Sequence, residues 1–386
     1  MNRRVVFNSA IALYFILGLE IIIMISPFAG FFYAVFNPFL LKTAQYSATR
    51  WLSAFYLPHL IVPPNDMLKF VRVMGSILFV AGISVFILCA VQVYTNKLFK
   101  RGTALRGLYS HIRHPQYVGL AVSGIGMSIL WPRFLVAVLW ILMILIYYFL
   151  SKDEEKRMLK TYHDEYNAYM NKTGMFLPKA IENAIAPKTA VWKAAVFLVI
   201  ATVTVGGAFF MRHYTIRNLP IWTEGNITAL SIRLDEKTMM DHRMGQIVQL
   251  EEINKRLNPK NTYLVYFMPK NYIMQGLIAD THSEWKLYKQ HHTMSMMTDW
   301  IFHPFRHLQE GHHLMHEGGA HNSNDAFIRR LIFVQTDKQS PLDVFSINAK
   351  REPQFMIDID VHNLILLDIK ELPKETGWGT LPTPVF

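Results

Sequence analysis

The sequence predicts an all-α polytopic membrane helix bundle of about five spans with a C-terminal α+β extramembrane domain. Three observations carry this. Apolar residues make up 52% of the 386-residue chain and mean hydropathy is positive. The apolar excess is concentrated before residue 212, where uninterrupted runs reach membrane-spanning length. After Met211 the runs become short and are punctuated by turn residues, as strands are. The expected division is 1–212 for the membrane domain and 213–386 for the appended one.

The predicted spans are Val5 to Ser26, Val73 to Val93, Phe134 to Leu150 and Ala194 to Met211, with a shorter one from Tyr117 to Leu130. Phe28 to Leu41 is also apolar, but Pro27, Asn37 and Pro38 interrupt it, and it reads as interfacial or re-entrant. Lysine and arginine cluster at Arg3 and Arg4, from Lys97 to Arg113, and from Lys152 to Lys179. The positive-inside rule places these clusters in the cytoplasm and the chain after Met211 outside, in what is expected to be a bacterial inner membrane. The net charge of +11 is then explained by topology and anionic headgroups, and no nucleic-acid partner is expected. Cys89 is the only cysteine, which excludes a disulfide framework and a multi-cysteine zinc site.

Ionisable groups at a membrane edge are costly unless they bind something. Gly107 to Gly119 reads Gly-Leu-Tyr-Ser-His-Ile-Arg-His-Pro-Gln-Tyr-Val-Gly. Gly107 suits a turn and Pro115 the first turn of a helix. Arg113 and His114 then sit just before a helix start, where free backbone N–H groups and a guanidinium would hold a carboxylate or phosphate. The alternative is a snorkelling arginine and a capping histidine. Glu155, Leu159, Tyr162, Tyr166 and Tyr169 share one stripe of the helix continuing from Phe134, so Glu155 faces whatever that stripe covers. Glu154, one step round, is a second candidate or a surface charge. Glu20, within the first predicted span, is a further intramembrane carboxylate that could line a lipid pocket or bond a neighbouring helix.

Gly107-x-Tyr109-x-x-x-Arg113-His114-Pro115-x-Tyr117-x-Gly119, then Glu154-Glu155 and Tyr166-x-x-Tyr169 running to Phe176-Leu177-Pro178, resembles the isoprenylcysteine carboxyl methyltransferase and phospholipid methyltransferase superfamily over roughly 73–178. This chain has His163 where the family usually has glycine and Met175 where it often has arginine. The resemblance implies an integral-membrane enzyme that uses S-adenosylmethionine at the cytoplasmic face and takes a lipophilic acceptor, a membrane lipid or prenylated substrate, from the bilayer. It implies that Arg113 takes the donor's carboxylate, that His111, His114 and Tyr117 lie at the donor site, and that Glu155 with Glu154 faces the ammonium. Arg113, His114 and Glu155 are the catalytic candidates. An amine acceptor would need a base, for which His114, His111 or a glutamate could serve. Two other classes remain open. One is a membrane reductase with NADPH held by Arg113; the other is a non-catalytic methyltransferase-like scaffold whose outer domain binds metal or another protein.

In the appended domain, strands are expected at Leu230 to Leu234, Tyr263 to Met268, Ile328 to Val334, Val344 to Ile347, Phe355 to Val361 and Leu364 to Ile369, with His362-Asn363 as a turn. A helix is expected within Asp235 to Leu257, ending before Pro259. Nine of the sixteen histidines lie between His282 and His321, interleaved with methionine. His303 with His307, and His312 with His316, have i, i+4 spacing that suits copper or zinc. Glycine and asparagine in the same tract fit a polar loop instead.

Overall fold

The computed structural model describes residues 42–58, 61, 63–99, 106–186, 189–270, 272 and 327–373. The expected first span, Glu20, the Phe28 to Leu41 run and the histidine-rich tract with His303, His307, His312 and His316 lie outside the described residues. The chain divides into two compact units. Among the described residues, 67–211 form one and those up to 66 together with those from 212 onward form the other.

The first unit is helical: α1 Asp66–Leu98, α2 Pro115–Leu130, α3 Phe134–Lys172, α4 Lys179–Ile185 and the greater part of α5 Ala190–Arg217. Among the described residues α1, α3 and α5 are long and apolar enough to cross a membrane, whereas α2 is shorter. The described residues thus hold three such helices, and the expected count of five is not reached among them. Large apolar side chains stay exposed along α1 and α5, as at Phe70, Ile77, Leu88, Val196, Leu198 and Val203, which suits helices whose solvent is lipid. Close backbone approach joins α1 to α2: a Cβ on Gly126 would press on Phe79 of α1, and one on Gly119 on Phe86. Small residues permit such packing where lipid supplies no hydrophobic drive between helices. Trp140 Nε1 donates to the Ala121 carbonyl at 2.9 Å, fixing α3 against α2.

The expected stripe on α3 is broken by a kink. His163 has φ 37° and ψ −111°, so the helix bends between an arm carrying Glu155 and an arm carrying Tyr166 and Tyr169. Glu155 and Tyr166 are buried, while Tyr162 beside the kink is turned out and exposed. Straight-helix periodicity could not anticipate this. The short helix α4 was also not expected from the sequence.

The second unit is built on a six-stranded sheet in the order β1 Ile221–Glu224, β2 Ile227–Ser231, β3 Thr262–Pro269, β4 Ile328–Thr336, β5 Arg351–Asp360 and β6 Ile365–Glu371. Every neighbouring pair is antiparallel except β2 with β3. A parallel pair needs a crossover, and α6 Lys237–Val248 lies on it. Met240, Met244 and Ile247 of α6 pack on one face of the sheet with Val265, Phe267 and Phe333. The other face buries Leu230, Tyr266, Ile332 and Met356 together with Ile61 and Phe345. Ile61 comes from the stretch before α1, which the sequence reading did not assign to this domain.

Several expectations shift here. The first of the expected strands lies at Ile227–Ser231 as β2, a few residues earlier than expected, and β1 was missed because it is four residues long. The helix expected within Asp235 to Leu257 is split into a 3₁₀ turn Leu234–Glu236, α6 and a single turn Glu251–Asn254. Val344 to Ile347 is not a strand. Pro341–Phe345 forms a 3₁₀ turn, and the buried Arg351 donates to the Val344 carbonyl through Nε at 3.0 Å and Nη2 at 2.7 Å, meeting the need a sheet partner would meet. The β5–β6 turn contains His362-Asn363, as expected, and the Asp360 carboxylate closes it by accepting from the His362 and Asn363 N–H groups at 2.9 and 3.2 Å.

Candidate active site at the junction of α2 and α3

Gly107, at φ 64°, turns the chain into a 3₁₀ turn Gly107–Ser110, and Ile112 to His114 then runs extended beside Gly174 and Met175. Arg113 N donates to the Gly174 carbonyl at 2.8 Å and His114 N to the Met175 carbonyl at 3.1 Å. These two backbone donors are therefore consumed within the ladder. Pro115 occupies the first position of α2. His114 is its N-cap residue, but its side chain makes no capping hydrogen bond. The imidazole is instead directed at the carboxylates of α3.

The Arg113 guanidinium is buried and fills the bend of α3. Nε donates to Glu155 Oε1 at 2.6 Å on the first arm. Nη1 donates to the Met170 carbonyl at 3.3 Å and to the Thr173 carbonyl at the end of the second arm. A cation among the last carbonyls of a helix complements the macrodipole. Among the described residues Nη2 makes no hydrogen bond.

His114 sits between the two glutamates, with Nδ1 3.4 Å from Glu154 Oε2 and Nε2 3.6 Å from Glu155 Oε1. Burial alone would lower its pKa, but the interactions with Glu154 and Glu155 outweigh that and leave it raised. Tyr117 donates to Glu154 Oε1 at 2.6 Å and stacks on Tyr147 with centroids 4.8 Å apart. Lys152 Nζ lies 3.8 Å from Glu155 Oε2 at the exposed margin. Glu155 is buried, whereas the Glu154 side chain is 41% exposed. Behind the cluster, Tyr169 donates to the Tyr109 carbonyl at 2.6 Å, and burial pushes the Tyr109 phenol up.

Five of the six donor-site candidates, Arg113, His114, Tyr117, Glu154 and Glu155, thus meet in one place. His111 does not join them: it is exposed, with Nδ1 2.9 Å from Ser110 Oγ. Sequence reasoning missed Tyr147 and Ser151, although they precede Glu155 by eight and four residues and extend its face of α3 upward. It also missed Gly174, whose carbonyl holds Arg113. Among the described residues no group of three or more His, Cys, Asp or Glu side chains is arranged to hold a metal ion.

Long apolar helices around a buried ionic cluster define an integral membrane protein with a polar site at a helix end. The phospholipid methyltransferase family model matches residues 100–165. The matched segment carries Arg113, His114, Tyr117, Glu154 and Glu155, and the family it matches belongs, with the isoprenylcysteine carboxyl methyltransferases, to a superfamily of integral-membrane methyltransferases. No curated protein and no solved structure matches the chain.

Proposed function

We propose that the chain transfers a methyl group from S-adenosylmethionine to a lipophilic acceptor in the bilayer, of the phospholipid amine or isoprenoid carboxylate type. The observation that carries this reading is the ionic cluster of Arg113, Glu155, His114 and Glu154, placed where an apolar helix meets its polar extension. The residues fit the donor. Arg113 Nη2 is left for a carboxylate, and the half-exposed Glu154 is left for an ammonium. When bound, the donor supplies a methyl group on a sulfonium, and the chain has to orient it and exclude water. Transfer forms the acceptor–carbon bond and breaks the carbon–sulfur bond, whose electron pair stays on sulfur. A carboxylate acceptor needs no base. An amine acceptor must lose a proton to a base, and His114 and Glu154 are the candidates at this site.

Topology agrees with this placement. Within the second unit Asn65 Nδ2 donates to the Tyr214 hydroxyl at 3.1 Å and Arg212 Nη1 to the Phe55 carbonyl, so the residues before α1 and those ending α5 lie on one side. An even number of crossings must separate them, which supports α2 as a fourth crossing beside α1, α3 and α5. The lysines and arginines bordering the α2–α3 site support a cytoplasmic position for it and an extracytoplasmic one for the sheet.

The test is calorimetric titration of the purified chain in detergent with S-adenosylmethionine, with NADPH as the comparison ligand. Saturable donor binding that weakens in Arg113→Ala and Glu154→Gln supports the reading. Binding of NADPH alone would replace it with a reductase.

A further inference from the structure

The short helix α4 carries its polarity the wrong way round for a helix in water. Ile181, Ala184 and Ile185 stand at i, i+3 and i+4, and Leu177, one turn earlier, extends the same stripe. All four are exposed, Ile181 by 49% and Ile185 by 67%. The opposite face holds Lys179 and Glu182, both half-buried. Lys179 Nζ donates to the Met170 carbonyl at 3.4 Å, and Glu182 Oε2 accepts from Met175 N. An amphipathic helix on a water-soluble domain packs its apolar face and solvates its charges. In α4 the charges are packed and the aliphatic side chains are turned out, an arrangement that is stable where the surrounding medium is apolar.

The position of α4 identifies that medium. From Ala190 to Met211 α5 rises about 33 Å, close to a hydrocarbon core of about 30 Å, so Val191 and Trp192, both exposed, stand at its boundary. Tryptophan is enriched at that depth. Only Ala186 to Thr189 separate α4 from α5, a reach of at most about 14 Å. From Lys172 to Lys193 the sequence has four lysines and a single acid, Glu182, which faces the protein. Exposed aliphatic side chains, a boundary tryptophan and a positive balance fit the headgroup–acyl boundary of a bilayer.

The polar face of α4 leads into the site. The Met170 carbonyl that takes Lys179 also takes Arg113 Nη1 at 3.3 Å. Met175, held by Glu182 through its N–H, accepts from His114 N through its carbonyl at 3.1 Å, and Gly174 beside it accepts from Arg113 N at 2.8 Å. We propose that α4 is an interfacial helix seated in the headgroup–acyl boundary through Leu177, Ile181 and Ile185, and that this seat holds the Arg113–His114 ladder in place. The partner is the lipid surface, and Lys179 and Glu182 are positioning residues. On the methyltransferase reading above, contact with the leaflet that supplies the acceptor and ordering of the donor site become one event.

The test uses the full chain in vesicles of equal parts phosphatidylethanolamine and phosphatidylglycerol. Nitroxide labels are placed at Ile181→Cys, Ile185→Cys or Asn183→Cys in a Cys89→Ala background. The labels at 181 and 185 should be relaxed by oxygen in preference to a water-soluble nickel chelate, and the label at 183 by the chelate. Equal access of the chelate to 181 and 183 overturns the seat. Coupling is read by hydrogen exchange at the Arg113 and His114 amides. Ile181→Asp is expected to speed that exchange about tenfold or more, whereas Ile181→Leu should exchange as the wild type does. Glu182→Gln, which weakens the tie and keeps the apolar face, should also speed it while the label at 185 stays at its depth. Unchanged exchange in both Ile181→Asp and Glu182→Gln overturns the coupling. Neither readout requires donor, so a wild-type chain that binds no S-adenosylmethionine would fail the methyltransferase reading while these measurements still decide the role of α4.

Discussion

Arg113 Nε donates to Glu155 Oε1 at 2.6 Å, with the two side chains only 6% and 4% exposed. The same guanidinium reaches the Met170 and Thr173 carbonyls, so one side chain ties both arms of the kinked helix α3 to the start of α2. Removing one partner of such a pair leaves a buried charge without compensation, at a cost of about 3–5 kcal/mol. Arg113→Ala and Glu155→Ala should each lower the melting temperature in detergent, and the double variant should lose much less than the sum of the two. Additive losses in a double-mutant cycle would contradict the coupling. Arg113→Lys should not rescue, because a single ammonium cannot reproduce the fork of donors.

His163 occupies a backbone conformation, φ 37° and ψ −111°, that disfavours any residue with a Cβ. The kink is kept in this chain despite the histidine, because it turns the second arm of α3 back toward Arg113. His163→Gly should stabilise the protein by about 1 kcal/mol, read as a rise in melting temperature. His163→Val should lower it. If both variants melt like the wild type, the bend is not held in this conformation.

Much of the site was legible in the sequence because its members are close to helix ends, where residue type and spacing are constrained. Pro115 marked the start of α2, Gly107 the turn before it, and the position of Glu155 in an apolar stripe its burial. The bend at His163 was not legible, since glycine would have announced it and histidine does not. The spent backbone donors of Arg113 and His114 were also hidden, because they pair with Gly174 and Met175 about sixty residues along the chain. In the sheet the long hydrophobic strands β3, β4, β5 and β6 were visible. The 3₁₀ turn Pro341–Phe345 was not, because its Val344 carbonyl is satisfied by the side chain of Arg351 in β5.

His114 supplies a pH dependence with a defined sign. Its pKa is raised in the folded protein by Glu154 and Glu155 against the opposing effect of burial. A group whose folded pKa lies above its unfolded value stabilises the fold fully below the unfolded pKa, about 6.5 for imidazole, and the contribution fades as pH rises through the folded value. The melting temperature of the wild-type chain relative to His114→Gln should therefore be highest in mild acid and shrink toward alkaline pH. A difference that grows with pH would mean that His114 is held neutral.

Gly174 is the residue on which the Arg113 assignment can be tested without touching a charged group. Its carbonyl accepts from Arg113 N at 2.8 Å. A Cβ added there would overlap the Leu177 carbonyl oxygen and approach Glu182 Oε2 to 2.5 Å, and Glu182 Oε2 also accepts from Met175 N. The backbone at Leu177 cannot yield as a flexible side chain could, so Gly174→Ala must shift the 174–177 turn and with it the ladder holding Arg113 and His114. Donor binding is expected to fall by about tenfold or more, for a lost backbone bond and a displaced guanidinium. Gly207→Ala is the control, since nothing lies within 4 Å of a Cβ there, and it should bind donor as the wild type does. Equal donor affinity in Gly174→Ala and the wild-type chain would separate the Arg113 ladder from the binding site.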